Sequence, residues 1–226
     1  MDREESWRTV EAERRSLADL LDGLTADRWE TPSLCAGWRV RDVAAHVARA
    51  PQVPGIGSML ADGVRARGSF HRLNHDGAVR HAGRPVERIV AELREFAGSR
   101  RLPVVTNYRN ILFDVLVHGQ DIAIPLGLHR AVPREAARAG AARVWSMGWP
   151  FWAKAKLRGF RLSARDVAWS VGDGADVRGP IDALLLLLTG RTVVLPRLTG
   201  EGAAILTERP EALRAQGLRE VRRLSR

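Results

Sequence analysis

The chain has 226 residues, of which 45% are hydrophobic and 27% are charged. This composition is ordinary for a globular protein of one large or two small domains, and it excludes disorder as the main state of the chain. The first residues lack the apolar core of a signal peptide, and the most apolar run, residues 181–190, is too short to span a bilayer. The single cysteine cannot form an internal disulfide, which is consistent with a reducing compartment. From these features together we expect a cytoplasmic protein with no membrane segment.

The charge of the chain is strongly positive. Its 36 lysine and arginine residues exceed its 26 aspartate and glutamate residues by ten, and such an excess favours acidic partners or substrates. Only Lys154 and Lys156 are lysines, and the arginines are spread along the whole chain. Because a nucleic-acid interface is typically concentrated on one face, this spread indicates a solvated basic surface, with nucleic-acid binding kept as an alternative.

The first two thirds of the sequence have the periodicity of amphipathic helices. Trp7, Val10 and Leu17, for example, recur at helical spacing and define one apolar face. Residues 74–83 interrupt the pattern and are predicted to form a polar loop that contains His75 and His81. We predict helices over residues 3–24, 39–50, 56–72 and 104–126, and two more that begin at Pro85 and at about Pro133.

The pattern changes after about Arg158. Residues 160–164 and 166–171 alternate like short strands, an apolar helix is predicted over 181–189, and further strands are predicted at 192–198 and 203–208. A basic helix is predicted at 210–224. The sequence therefore predicts an α+β protein, with a helical bundle over residues 1–152 followed by a small α/β domain over residues 153–226.

Two of the predicted helices carry residue types that bind metal ions. His118 follows Asp114 by four residues, so the two side chains project from one face of the same helix. His46 borders the apolar face of the second helix. If these helices pack together, His46, Asp114 and His118 form a two-histidine, one-carboxylate set that leaves positions open for water or substrate. The alternative is an ordinary surface pair or a hydrogen-bonded polar group in the core.

Other polar residues lie close to this set in the sequence. Asp42 precedes His46 by four residues and is predicted either to orient that imidazole or to favour the start of its helix through the helix dipole. For Asp121 two roles are likewise predicted: it either orients His118 or faces solvent. Cys35 comes just before a helix, where a thiolate is stabilised, but the preferred interpretation is a small buried residue. Trp38 is the tryptophan expected to wall a pocket beside His46.

Three segments resemble the mycothiol-dependent maleylpyruvate isomerase family, which has a DinB-like metal-binding domain. Thr31–Val47, with the sequence TPSLCAGWRVRDVAAHV, resembles the opening motif of the family at every fixed position. Phe113–Gly127 is similar to its Glu-x-x-x-His-Gly-x-Asp segment, with Asp114 where the family has glutamate. Residues 167–191 are similar to its small C-terminal domain. The three matches fall in the expected order.

The resemblance implies a DinB-like four-helix bundle followed by a sterol-carrier-like domain. It implies that His46, Asp114 and His118 hold a divalent metal, commonly zinc. The family's thiol cosubstrate is mycothiol, whose sulfur binds the metal and then attacks an electrophilic carbon of a small molecule, either for isomerisation or for S-transfer. Arg178 and Arg191 of the second domain are candidates for binding a substrate carboxylate.

Three functions remain open from the sequence. The first is a mycothiol-dependent isomerase or S-transferase. The second is a DinB-like metal-binding protein without thiol chemistry, which the aspartate at position 114 favours. The third is a basic, non-catalytic interaction protein. The sequence leaves open whether the chain is a monomer or a homodimer.

Overall fold

The computed structural model describes residues 1–52, 70–102 and 106–208, and the side chains of all of these except residues 70–74. The predicted helix at 56–72 falls mostly outside the described residues, and the predicted helix at 210–224 falls entirely outside them. The chain divides into two compact units, Asp2–Ala131 and Val132–Arg226. This division falls before the boundary at 152/153 that the change of sequence pattern predicts, because the helix that follows Pro133 packs within the second unit.

The first unit is helical. Four of its helices, α1, α3, α5 and α6, pack as a closed ring in which α1 contacts α5 and α6, and α3 contacts the same two helices. Helix α4 packs against α3. The helices are α1 (Arg3–Asp22), α2 (Ala26–Trp29), α3 (Val40–Arg49), α4 (Phe70–Ala82), α5 (Val86–Glu95) and α6 (Tyr108–Ala123).

Local side-chain contacts explain where two of these helices begin. The carboxylate of Asp2 accepts the backbone N–H of Glu5 at 2.8 Å, and the carboxylate of Glu5 accepts the backbone N–H of Asp2 at 2.8 Å. This reciprocal pair satisfies two backbone donors at the start of α1. Asn107 caps α6 in a related way, since its side-chain oxygen accepts from the N–H groups of Arg109 and Asn110.

Helix α4 corrects the prediction of a polar loop at 74–83. Its polar residues His75 and Asp76 face outward, whereas Ala78 and Ala82 are buried. Apart from His81, the buried residues of 75–82 are small, and none of them is a large apolar side chain, so the hydrophobic periodicity is weak in the sequence. Packing against α3 is what stabilises this helix, as is usual for short helices.

The second unit combines helices with a small sheet. The strands are β1 (Phe160–Ala164), β2 (Ser170–Gly172) and β3 (Ala175–Gly179), in the order β2-β1-β3, with β1 antiparallel to β2 and parallel to β3. Helix α9 packs against α7 and buries its run of leucines. The helices are α7 (Arg134–Ser146), α8 (Ala153–Lys156), α9 (Ile181–Leu188), a 3-10 helix (Thr192–Arg197) and α10 (Glu201–Glu208).

Two predicted strands of this unit are helical instead. Residues 192–198 fall mainly in the 3-10 helix, which contains Pro196, a residue without the N–H that a strand ladder needs. Residues 203–208 belong to α10, which packs against β3. A Cβ atom added at Gly202 in α10 would lie 2.7 Å from the carbonyl oxygen of Ala175 in β3, so the two backbones approach closely at this glycine.

The predicted fold class is confirmed, with a helical first unit followed by a small unit of helices and strands. No helix among the described residues is long and apolar enough to cross a membrane.

Candidate metal centre

The three predicted ligands meet in the first unit. His46 comes from α3, and Asp114 and His118 come from α6, where their four-residue spacing places them on one face. The Nε2 atom of His46 lies 3.6 Å from Oδ2 of Asp114, and Nε2 of His118 lies 3.4 Å from Oδ1 of the same carboxylate. One ligand atom from each residue lies within 4.8 Å of the other two. The set joins two helices that are distant in sequence.

These separations fit a small divalent cation. With metal–ligand bonds of about 2.0 Å and tetrahedral angles, the ligand atoms are expected about 3.3 Å apart. Nε2 of His46 lies 3.6 Å from one oxygen of Asp114 and Nε2 of His118 lies 3.4 Å from the other, so each imidazole is near this separation from the carboxylate. Asp114 is one methylene shorter than the glutamate of the family motif, yet its two oxygens reach both imidazoles. The side chains remain partly exposed, at 20% for His46, 31% for Asp114 and 13% for His118, so a further ligand has access.

Charges stabilise one another within this set. Burial opposes ionisation of Asp114, but the neighbouring His118 and His46 hold the pKa of its carboxyl below the ordinary value. Burial likewise opposes protonation of His118, but Asp114 raises the pKa of the imidazole well above its ordinary value, and so do the hydrogen bond that its ring donates to Asp121 and the contact with Cys35. The site therefore attracts positive charge, which a proton or a metal cation can supply.

Arg14 is a further charged residue near this set that the sequence did not identify. Its side chain is buried, and its Nη1 atom donates to the carbonyl oxygens of Phe96, Ala97 and Ser99. Burial lowers the pKa of Arg14 to about 10, while the negative charge of Asp114 acts in the opposite direction. The hydrophobic spacing of α1 gave no sign that a cation occupies its buried face.

Asp121 and Cys35 flank the other side of the His118 ring. Oδ2 of Asp121 lies 2.9 Å from Nδ1 of His118, and the Sγ–H group of Cys35 donates to the same oxygen at 3.1 Å. Asp121 has no exposed surface. Of the two alternatives for Asp121, the structure shows contact with His118 rather than with solvent. Cys35 is half-buried as part of this network and is more than a space-filling residue.

Trp38 lies among three imidazoles. Its ring centroid is 5.4 Å from that of His46, 6.4 Å from that of His118 and 6.2 Å from that of His75. Hydrogen bonds from Ser33 to the carbonyl oxygen of Trp38 close the loop that carries it. Trp38 therefore lies beside the imidazoles of His46 and His118, and its role as a pocket wall stays a prediction. His75 is an additional residue beside this ring, which the predicted loop at 74–83 did not suggest.

Asp42 lies apart from His46. Its carboxylate accepts from the backbone N–H of Arg39 at 2.8 Å and from the guanidinium of Arg39 at 2.9 and 3.0 Å. This contact corresponds to the alternative in which Asp42 favours the start of α3. It does not orient the imidazole of His46.

Arg178 and Arg191 lie in the second unit. Arg178 contacts the carboxylate of Asp176 at 2.5 Å, and Arg191 donates to the carbonyl oxygen of Thr189 at 2.7 Å. Their predicted role in binding a substrate carboxylate stays a prediction.

Comparisons with known proteins give a consistent result. Residues 10–102 match a family model described as the mycothiol maleylpyruvate isomerase N-terminal domain, a region that contains His46 but not Asp114 or His118. The chain is also similar to the crystal structure of the mycothiol-dependent maleylpyruvate isomerase and to that of a mutant of this enzyme. Each is 14% identical, with a TM-score of 0.62, over 90% of this chain and 94% of the other. No curated protein matches the chain.

Proposed function

We propose that the chain is a metal-dependent enzyme of the mycothiol-dependent maleylpyruvate isomerase type, since its residues 10–102 match the model of that family's N-terminal domain. Its cosubstrate is mycothiol or a closely similar small thiol, and its substrate is a small electrophilic molecule. The observation that carries the proposal is the convergence of His46, Asp114 and His118 from two helices at separations suited to one divalent ion.

These three residues are the proposed ligands, with zinc as the expected ion. Two imidazoles and one carboxylate are a common donor set for catalytic zinc, and three protein ligands leave a position open. When bound, such an ion supplies Lewis acidity that lowers the pKa of a thiol, so that a thiolate is available near neutral pH.

The surrounding residues orient the ligands. The carboxylate of Asp121 lies 2.9 Å from Nδ1 of His118 and accepts its N–H. Nε2, which faces Asp114, is then the nitrogen that would bind the ion after losing its proton. The indole of Trp38 lies beside both imidazoles on one side, with ring centroids 5.4 and 6.4 Å away. The partial exposure of Asp114 leaves the remaining side open to small molecules.

The reaction is an attack by sulfur on carbon. In S-transfer, the thiol loses its proton, a carbon–sulfur bond forms, and the bond from that carbon to a leaving group such as chloride breaks, so that the thioether is the product. In isomerisation, the thiol adds across a conjugated double bond, rotation occurs about the resulting single bond, and elimination of the thiol restores the double bond in the other geometry. The two outcomes share the same first step, so one site serves either.

A second candidate is a divalent-metal-binding protein without thiol chemistry. The aspartate at position 114, where the family motif has glutamate, favours this candidate. It predicts that the metal binds but that a small thiol neither binds near it nor is consumed.

Metal content separates these candidates from a protein without a metal. We would measure it by elemental mass spectrometry on wild type, His46→Ala and Asp114→Ala, with His129→Ala as the matched control because His129 is an exposed histidine. One ion per chain in wild type and in the control, absent from the two ligand variants, supports the site. A wild type without metal after incubation with zinc contradicts it.

Thiol chemistry is tested next with mycothiol and the electrophile monochlorobimane. Consumption that requires thiol and stops on chelation supports the enzyme. A bound metal with no effect of thiol supports the second candidate.

A further inference from the structure

The second unit contains a cavity of about 690 Å³ with an aromatic lining. Its lining residues come from the end of α7 and the segment that follows it, from α8 and the start of β1, and from the end of β2 and the turn after it. The apolar lining comes from Trp145, Met147, Trp152 and Phe160, all of which are half-buried. None of its lining residues takes part in the candidate metal centre. Its volume is in the range of cavities that hold small organic molecules.

Glycines position two of the aromatic walls. A Cβ atom at Gly172 would lie 3.4 Å from the indole of Trp145, and one at Gly148 would lie 3.1 Å from the indole of Trp152. The two indoles thus lie directly against backbone, with no side chain between. Because aromatic rings bind other rings through their faces and edges, such walls suit a planar aromatic ligand.

The backbone at Trp152 is in an unusual conformation. Its φ angle is +52°, in the left-handed region, and it immediately precedes α8. A bulky residue rarely adopts this conformation, and such residues cluster at ligand-binding and functional sites. The conformation places the Trp152 indole in the wall of the cavity.

The rim of the cavity carries charges. Lys154, Arg158 and Asp173 line it and are exposed. Neither Lys154 nor Arg158 forms an ion pair with any residue of the described part of the chain, whereas nearby Arg178 and Arg197 are paired with aspartates. Two cations and one carboxylate leave an excess of one positive charge at the rim, which favours a ligand with one negative charge.

We propose that this cavity binds a planar aromatic carboxylate. The ring system contacts Trp145, Trp152 and Phe160, and the carboxylate binds Lys154 and Arg158, of which the guanidinium can hold both oxygens at once. The carboxylate points away from Asp173. None of the residues proposed to hold this ligand belongs to the candidate metal centre.

The test is isothermal titration calorimetry of the full-length chain with naphthalene-2-carboxylate. Naphthalene-2-carboxamide, which has the same rings without the charge, is the comparison ligand. The titrations contain a chelator and are repeated with His46→Ala, so that a carboxylate bound to metal does not contribute. We expect a Kd below about 1 mM for the carboxylate and one at least about ten-fold higher for the amide.

Variants then locate the ligand. The double variant Lys154→Gln and Arg158→Gln changes exposed residues, and we expect it to fold as wild type and to raise the Kd at least about ten-fold. Arg161→Gln is the matched control, since Arg161 is an exposed arginine on β1 next to Phe160 but outside the cavity lining. Ala155→Leu adds side-chain volume to the cavity wall and is expected to abolish binding.

Several results overturn the proposal. These are no heat of binding with wild type, equal Kd values for the carboxylate and the amide, or an equal loss in Arg161→Gln and the double variant. Binding that survives Ala155→Leu also overturns it, because the ligand then lies elsewhere. Loss of binding in His46→Ala alone would place the ligand at the metal centre.

Discussion

The Nδ1 atom of His118 lies 2.9 Å from Oδ2 of Asp121, and the thiol of Cys35 donates to the same oxygen at 3.1 Å. A buried carboxylate in this position fixes the imidazole proton on Nδ1 and holds the ring in one orientation. The opposite ring nitrogen then faces Asp114. Asp121 thus acts on the metal site through His118, without lying in the set that surrounds the ion.

The substitution Asp121→Asn tests this role. The amide keeps the size of the side chain but removes the charge that orients the imidazole, so we expect metal affinity to fall about 10- to 100-fold. Competition with a chromophoric chelator measures it. Asp42→Asn is the control, because Asp42 is a buried carboxylate that contacts Arg39 and not a histidine. Equal losses in both variants would mean that the effect is a general loss of stability.

The substitution Asp114→Glu tests whether the backbone at position 114 lies at the distance from the two imidazoles that an aspartate side chain requires. The two oxygens of Asp114 already lie 3.4 and 3.6 Å from the imidazole nitrogens. An added methylene moves the carboxylate by more than the few tenths of an ångström that a metal–oxygen bond tolerates, so we expect roughly ten-fold weaker metal binding. The same competition assay measures it, beside Asp114→Ala as the full loss. Stronger binding by the glutamate variant would contradict the fit described above.

Glu92 gives the first unit a pH-dependent stability. Its carboxylate has no exposed surface and accepts from Gln52, His81, Arg84 and Arg88. Glu92→Gln removes the charge while these donors remain, and we expect the free energy of unfolding to fall by about 3 kcal/mol. Denaturant titration at pH 7 measures it. A change below about 0.5 kcal/mol, the usual effect of surface substitutions, would show that the cluster contributes little.

The pH profile of stability follows from the same cluster. Burial opposes ionisation of Glu92, but its hydrogen bonds hold its pKa below the ordinary value; burial lowers the pKa of His81 despite its bond to Glu92. In both cases the unfolded chain takes up a proton at a higher pH than the folded chain does. The free energy of unfolding therefore falls as the pH falls. The contribution of His81 is lost below about pH 6.5 and that of Glu92 below about pH 4.5, which are the ordinary pKa values of these groups in the unfolded chain. His81→Gln should remove the upper part of this loss in denaturant titrations from pH 8 to pH 4.

Gly119 accommodates a buried ion pair beside the metal ligands. A Cβ atom there would lie 2.7 Å from Nε of Arg130, whose guanidinium binds Glu13 and Ser16. Alanine favours helix by about 1 kcal/mol, but crowding this pair costs more, so we expect Gly119→Ala to lower the free energy of unfolding by about 1–2 kcal/mol. Gly23→Ala, with no atom nearer than 3.8 Å, is expected to leave stability unchanged. Thermal unfolding compares the two.

Local information in the sequence was sufficient for most helices of the first unit. The apolar spacing of α1, α3 and α6 involves only residues within each helix. The shared face of Asp114 and His118 does too, because a helix repeats every 3.6 residues. The motif around Thr31–Val47 also carried the resemblance to the family whose model matches residues 10–102. Each of these inferences needs only residues that are close in sequence.

Packing between distant segments decided the rest. That His46 meets Asp114 depends on the contact of α3 with α6, and the approach of Cys35 to Asp121 depends on a loop folding onto α6. Residues 203–208 form part of a helix that packs against β3, a contact that their short apolar run does not reveal. Short apolar runs have no decisive periodicity of their own, so the partner that buries them selects their structure, and that partner is defined only in three dimensions.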